Sequence, residues 1–341
     1  MLTRFLIRRI VTSAVQMLAL TLVVFFLVRL LPADPVSRLV GMNASPQAYA
    51  QAERSLGLDK PVITQLLNYL GLGSTSGLLQ GDLGVSWLTN SPVVQEIGMA
   101  LPITLELLTY SFLVTLIIAV PVGVMSAANP GKLVDKVVFV YGLFGGSQPE
   151  FWWGLLFVLI FFSTLGIAPA PLGMIDPLLL PPPRVTGFFT VDALIAGDVS
   201  AFVDILHHLM LPVLTMVFVL SGPVIKMVRQ SMIRAHASDF MLYGTAAGLH
   251  RGTLTRYALR SAIAPTITLV GILYGVMLGG AVLVENVFAL GGIGQYAVRS
   301  VLAFDYPSIQ GIVLVITAIS LLIYLALDLL YAMIDPRVVY A

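Results

Sequence analysis

Long apolar runs, separated by polar stretches rich in glycine and proline, set the pattern of this chain. A helix needs about 20 apolar residues to cross the hydrocarbon core of a bilayer. Six stretches qualify: Ile10–Leu31, Ile103–Met125, Val137–Leu165, Ile205–Val228, Thr266–Val287 and Ile309–Ile334. Backbone amides in lipid must be paired within their own segment, so these stretches predict an all-α integral membrane protein with six transmembrane helices. Arg4, Arg8 and Arg9 precede the first run, as in a signal peptide. Its apolar part is too long for one and no small-x-small cleavage site follows, so an uncleaved anchor is expected.

The segments between runs carry punctuation of their own. Between the first two runs, Ser45-Pro46 predicts a helix start with Gly57 as its end. Asp59 and Pro61 predict a second start, closed by Gly71. Residues Gly71–Trp87, GLGSTSGLLQGDLGVSW, then read as turns. A later segment, about Gly166 to Asp204, contains APAPLGM and LLLPPPR, whose prolines favour extended geometry and forbid helix; it reads as a strap along the membrane surface.

Composition agrees with this pattern. The 341 residues are 58% hydrophobic and only 10% charged, with a mean hydropathy of +0.97. Soluble domains carry about 25% charged residues, so the excess apolar surface must face lipid. There is no cysteine, which excludes thiolate metal sites, thiol nucleophiles and disulfides. The formal net charge is +1, but the charges are segregated. With the N-terminus inside, the inner segments hold Arg4, Arg8, Arg9, Lys132, Lys136, Lys226, Arg229, Arg234, Arg251, Arg256, Arg260 and Arg337, two thirds of the 18 basic residues. Most carboxylates, among them Asp34, Asp82, Glu96, Asp192 and Asp305, fall on the other side. Both termini are therefore expected in the cytoplasm.

Candidate chemistry is sparse. Gly131-Lys132 is followed by Leu133, so no phosphate-binding loop is present and the chain should not hydrolyse ATP itself. GGIG at Gly291–Gly294 follows no strand and reads as a membrane re-entrant turn or a loop between runs. His207 and His208 are adjacent, point to different sides of a helix and do not make a compact metal pair. No catalytic, metal or cofactor residues are assigned, and nothing suggests nucleic-acid binding.

Glu150, in GGSQPEFWWG near the middle of the third run, is the anomaly. A lipid-facing carboxylate there costs about 2.5–3.5 kcal/mol. Either Ser147, Gln148 and Glu150 line a transport pathway beside a proline break, or Glu150 is a packed, hydrogen-bonded feature of a kink, or the span begins later and leaves Glu150 near an interface. Glu285 and Asn286, near the outer end of the fifth run, suit an outer mouth or plain snorkelling to water.

These motifs resemble the permease subunits of bacterial ATP-binding-cassette importers, in the branch that takes up dipeptides, oligopeptides and nickel. The resemblance runs nearly end to end. It includes RFLIRRI (Arg4–Ile10), RLLPADP (Arg29–Pro35), LGLDKP (Leu56–Pro61), GDLGVSW (Gly81–Trp87), LPITLEL (Leu101–Leu107) and PEFWWG (Pro149–Gly154). It continues through LMLPVLTM (Leu209–Met216), GGAVLVENVF (Gly279–Phe288), DYPSIQG (Asp305–Gly311) and DLLYAMIDPRV (Asp328–Val338).

The resemblance implies a type I importer transmembrane domain over residues 101–341, with residues 1–100 supplying the first helix and a structured extracytoplasmic segment. It also implies a cytoplasmic coupling loop near 236–262, whose short helix seats in an ATPase subunit. In DFMLYGTAAGL, Asp239 and Phe240 match the family's Asp-aromatic pair, and Ala246, Gly248 and Leu249 match directly. Gly244 keeps a small residue, whereas Tyr243 and Ala247 depart, Ala247 replacing the customary lysine. The implied ATPase-coupling set is Asp239, Tyr243, Gly244, Ala246, Ala247, Gly248 and Leu249. The implied partners are a second, related permease subunit, two ATPase subunits carrying ATP and Mg, an extracytoplasmic substrate-binding protein, and the lipid of a bacterial inner membrane. Small peptides are the expected solute; nickel or an oligosaccharide in the same family, and an ion-coupled carrier without ATPases, are the alternatives.

Overall fold

The structure, a computed structural model, describes residues 2–30, 34–41, 43–145 and 147–334, and side chains within 7–329 of these ranges. The Arg4 side chain, Arg337 and Gly146 lie outside them. In chain order the described residues form α1 (Leu2–Leu30), α2 (Pro35–Val40), α3 (Pro46–Ser55), α4 (Val62–Leu70), α5 (Val93–Ala128), α6 (Leu133–Gly145) and α7 (Glu150–Phe157, continued by a π-helical stretch Val158–Thr164). Then follow α8 (Phe189–Ala196), α9 (Val199–His236), α10 (Asp239–Ala246), α11 (Arg251–Phe288), α12 (Ile293–Ala303) and α13 (Tyr306–Ile334). A single bridge, Val85 to Pro92, is the β pairing among them.

Five helices among the described residues are long and apolar enough to cross a membrane: α1, α5, α9, α11 and α13. The third run, expected as one of six transmembrane helices with a proline break beside Glu150, is not one continuous helix. There α6 stops at Gly145, residues 147–149 turn, and α7 begins at Glu150. Pro149 supplies the reason: it has no N–H to donate and disfavours helical geometry at the residue before it. The long helices also overrun the apolar runs. α9 extends from Val199 to His236 and contains Pro212 and Pro223, while α11 begins at Arg251. Hydropathy marks the part that suits lipid, and helix continues past it wherever one face stays packed.

The chain divides into two compact units. The first comprises residues 1–103 and 291–322, and the second 104–290 and 323–341. Residues 291–322 thus group with residues 1–103.

In the first unit, Val24 and Val28 of α1 pack with Tyr306, and Val93, Ile97 and Ala100 pack with Ile293 and Ile312. Two motifs far apart in sequence meet at the buried Asp305. Its carboxylate accepts the Ser86 hydroxyl at 2.6 Å, the Trp87 N–H at 3.1 Å and the Ser308 hydroxyl at 2.7 Å. The α3 cap is as read, with Ser45 accepting from the Ala48 N–H and Pro46 in the first turn. At α4 the cap position is Pro61 rather than Asp59, and no side chain caps it; Gly71 closes the helix at φ +78°. Asp34 caps α2, and the Ser37 hydroxyl and N–H hold its carboxyl below the usual range.

In the second unit, Val224, Ile225, Val228 and Met232 of α9 share a core with Ala119 of α5 and Ala258 and Ala262 of α11. The segment α6–α7 runs antiparallel to α9. Arg229 holds Asp135 through two hydrogen bonds of 2.5 and 2.9 Å. Tyr141 then meets Ser221, Gly145 lies against the Phe218 carbonyl, Gly154 against Thr215, and His207 Nε2 lies 3.2 Å from the Ile167 carbonyl. From Arg229 to His207 the axis of α9 rises about 33 Å.

Residues 166–185 are free of helix, as their prolines require, but α8 forms at Phe189–Ala196, inside the segment expected to be a helix-free strap. The buried Glu106 carboxylate of α5 accepts the N–H groups of Phe189 and Thr190 at 2.7 and 2.8 Å and so caps α8. Burial raises the Asp192 carboxyl, but the Thr186 N–H and hydroxyl and the Gly187 N–H together hold it below its usual range.

Candidate functional site

Two groups of residues were expected to carry function, and both lie in the second unit. The first is α10, a two-turn helix between the long helices α9 and α11. Met241, 3% exposed, plugs it into the shared core, which stabilises the docked helix by about 1.5–3 kcal/mol. Gly244 faces the same way: a Cβ there would sit 2.8 Å from Leu254 and 3.3 Å from Leu249. Its small size thus serves packing within the chain, not approach by a partner.

The opposite face of α10 is open. Leu242 is 72% and Tyr243 78% exposed, and Asp239, Phe240, Ala246, Ala247 and Leu249 are exposed with them. Gly248 follows the helix at φ +74°, with nothing within 4 Å of a would-be Cβ. Its N–H reaches the Thr245 carbonyl and the Leu249 N–H reaches the Gly244 carbonyl, each at 3.1 Å, a left-handed glycine closure. His250 then caps α11 through the Gly252 N–H. An open cavity of about 820 Å³ borders α10, lined by Ala127, Met232, His236, Asp239, Leu242 and Arg251 among others. The expected coupling residues therefore lie on α10 and the turn that follows it, and they have different roles. Tyr243, Ala246 and Ala247 present an unpartnered surface, Gly244 anchors the helix, and Gly248 turns the chain.

The second group is dispersed. Ser147 and Gln148 are exposed in the turn between α6 and α7, and Glu150 is the first residue of α7, half-buried. Gly280 of α11 lets the carboxylate lie against its backbone, since a Cβ there would sit 3.1 Å from Oε1. Among the described residues no hydrogen bond or ion pair reaches this carboxylate. The packed, hydrogen-bonded alternative thus lacks its hydrogen bond.

Glu285 and Asn286 separate. Glu285 is fully buried and accepts the Thr104 hydroxyl, so the expected water-reached mouth is corrected at this residue: it faces α5. Asn286 is exposed and donates to the Val282 carbonyl of its own helix. His207 and His208 have separate partners, the Ile167 carbonyl and Asp204.

Sequence reasoning passed over Glu106 and the Asp135–Arg229 pair. Glu106 carried the same signal as Glu150, an acid inside an apolar run, and the structure satisfies it with three donors from residues 189 and 190. Asp135 and Arg229 gave no local signal, because they are 94 positions apart.

Comparison with known proteins covers almost the whole chain. Residues 119–340 match the family described as binding-protein-dependent transport system inner membrane component, and residues 1–108 match its N-terminal companion. A probable D,D-dipeptide transport system permease protein, DdpB of Escherichia coli K12, is 38% identical over 317 residues, 93% of this chain and 92% of that protein. The dipeptide transport system permease protein DppB of the same strain is 32% identical over 338 residues, 98% of each chain. The di/tripeptide transport system permease protein DppB of Pseudomonas aeruginosa UCBPP-PA14 is 34% identical over 336 residues, again 98% of each. With both family matches in sequence order, five long apolar helices and a short exposed helix held between two of them, the chain belongs to the family of binding-protein-dependent transport system inner membrane components, the permease subunits of ATP-binding-cassette importers.

Proposed function

We propose that this chain is one of two permease subunits in an ATP-driven importer of small peptides, and that α10 is the element through which partner ATPases drive it. The names of its relatives support a di- or tripeptide solute. The observation that carries the coupling role is the two-sided build of α10: Met241 and Gly244 fixed in the core, Leu242, Tyr243, Ala246 and Ala247 bare. A helix fixed on one face and unpartnered on the other passes an applied displacement to α9 and α11, the helices that flank it. ATP and Mg belong to the ATPases in this reading, and a substrate-binding protein delivers solute from outside.

The charge balance supports both termini and α10 on the cytoplasmic side, with residues 34–90 outside. The broken pair α6–α7 then makes the sixth crossing. Its contacts with α9 run over about 33 Å, against a hydrocarbon core of about 30 Å. Transport follows by alternating access: closure of the ATPases moves α10, and α9 and α11 rock with it. The complex with its ATPases, binding protein and second permease tests this reading. Wild type should take up a dipeptide only with ATP. Ala247→Asp, at an exposed position, should lose at least tenfold in uptake and in ATPase co-purification while still inserting in the membrane. Unchanged co-purification would overturn the docking role of this face.

A further inference from the structure

We propose that Glu150 is a transient site for the α-ammonium group of a peptide in transit. The inference rests on the peptide-import reading and deepens it, by giving the pathway a charge-specific step. It stands first on depth. Phe218 lies midway along α9 between the Arg229 contact and the His207 contact, and both sides of the α6–α7 break touch it. Gly145 abuts its carbonyl, and the Trp153 ring lies 4.3 Å from its ring. Glu150 is therefore near the middle of the crossing, where an ionisable residue marks a substrate or ion path.

The second support is the lack of a protein partner. Asp135, Asp192 and Glu106 are all held by hydrogen bonds from their own chain, yet among the described residues Glu150 has none. The third is the break itself. A discontinuous helix at mid-depth is where carriers place solute sites, because irregular backbone there is tolerated only beside a cavity or within protein.

The ligand class follows from the donors. Among the described residues no group of three His, Asp or Glu side chains could hold a metal ion, and a dehydrated divalent cation needs several such ligands. One carboxylate, with the Ser147 hydroxyl and the Gln148 amide on the adjoining turn, suits a monovalent ammonium with three N–H donors. A single charge also binds weakly enough to release, which transit requires.

The complete importer in proteoliposomes, with its binding protein and radiolabelled alanyl-alanine, tests this. Glu150→Gln should lower uptake at least tenfold while binding-protein-stimulated ATP hydrolysis stays within twofold of wild type, and Glu150→Asp should keep at least a third of uptake. This chain has no cysteine, so Glu150→Cys is its single thiol, and wild-type importer treated with the same reagents reports any effect of partner thiols. A thiol reagent bearing a sulfonate should restore uptake to Glu150→Cys, and one bearing a trimethylammonium should not. Uptake by Glu150→Gln within twofold of wild type, or equal effects of the two reagents, overturns the proposal and leaves peptide import standing. No uptake by wild type overturns both.

Discussion

Gly248 ends α10 with φ +74°, and an L side chain in that region costs about 1–2 kcal/mol whatever surrounds it. Space is not the constraint, since nothing lies within 4 Å of a would-be Cβ. Asparagine tolerates the left-handed region and valine does not. Uptake by Gly248→Asn should therefore stay within about threefold of wild type, with Gly248→Val at least tenfold below it. Equal loss in both variants would mean that a partner packs against this residue. The sequence marked Gly244 and Gly248 alike as small residues for a partner to approach. One is packed against Leu254 and the other turns the backbone, a distinction that rests on φ and on a contact between helices. Glu285 makes the same point, because its neighbour Thr104 is 181 positions away.

At the scale of elements, the six apolar runs were legible and one of them is broken. Hydropathy sums over a window and does not register continuity, whereas Pro149 and the glycines before it were signals for the break in the same stretch. Helix ends were less legible. α9 and α11 extend beyond the lipid-compatible part because packing of Met232, Ala235 and Ala258 continues there. The cap at Ser45 is as read, and at α4 Pro61 and Gly71 bound the helix as read while Asp59 makes no cap. The sixth crossing has a parity test. With α6–α7 spanning, reporters fused to the two ends of the chain should lie on the same side of the membrane. Opposite sides would mean five crossings and would remove Glu150 from mid-depth.

For the molecule as a whole, the energy source is the central question, because no phosphate-binding loop occurs in the chain. The exposed face of α10, a short helix anchored in a shared core, shows bare apolar side chains beside a cavity of about 820 Å³. This chain has no cysteine, so a single introduced one is its sole crosslinking point. A single cysteine replacing Ala246 on α10 is crosslinked in the assembled importer, with one replacing the exposed Val301 on α12 as control. The account predicts crosslinking of the α10 cysteine to the ATP-hydrolysing subunit, altered by nucleotide, and none from position 301. An importer that takes up dipeptide while position 246 never crosslinks to the ATPase would contradict it.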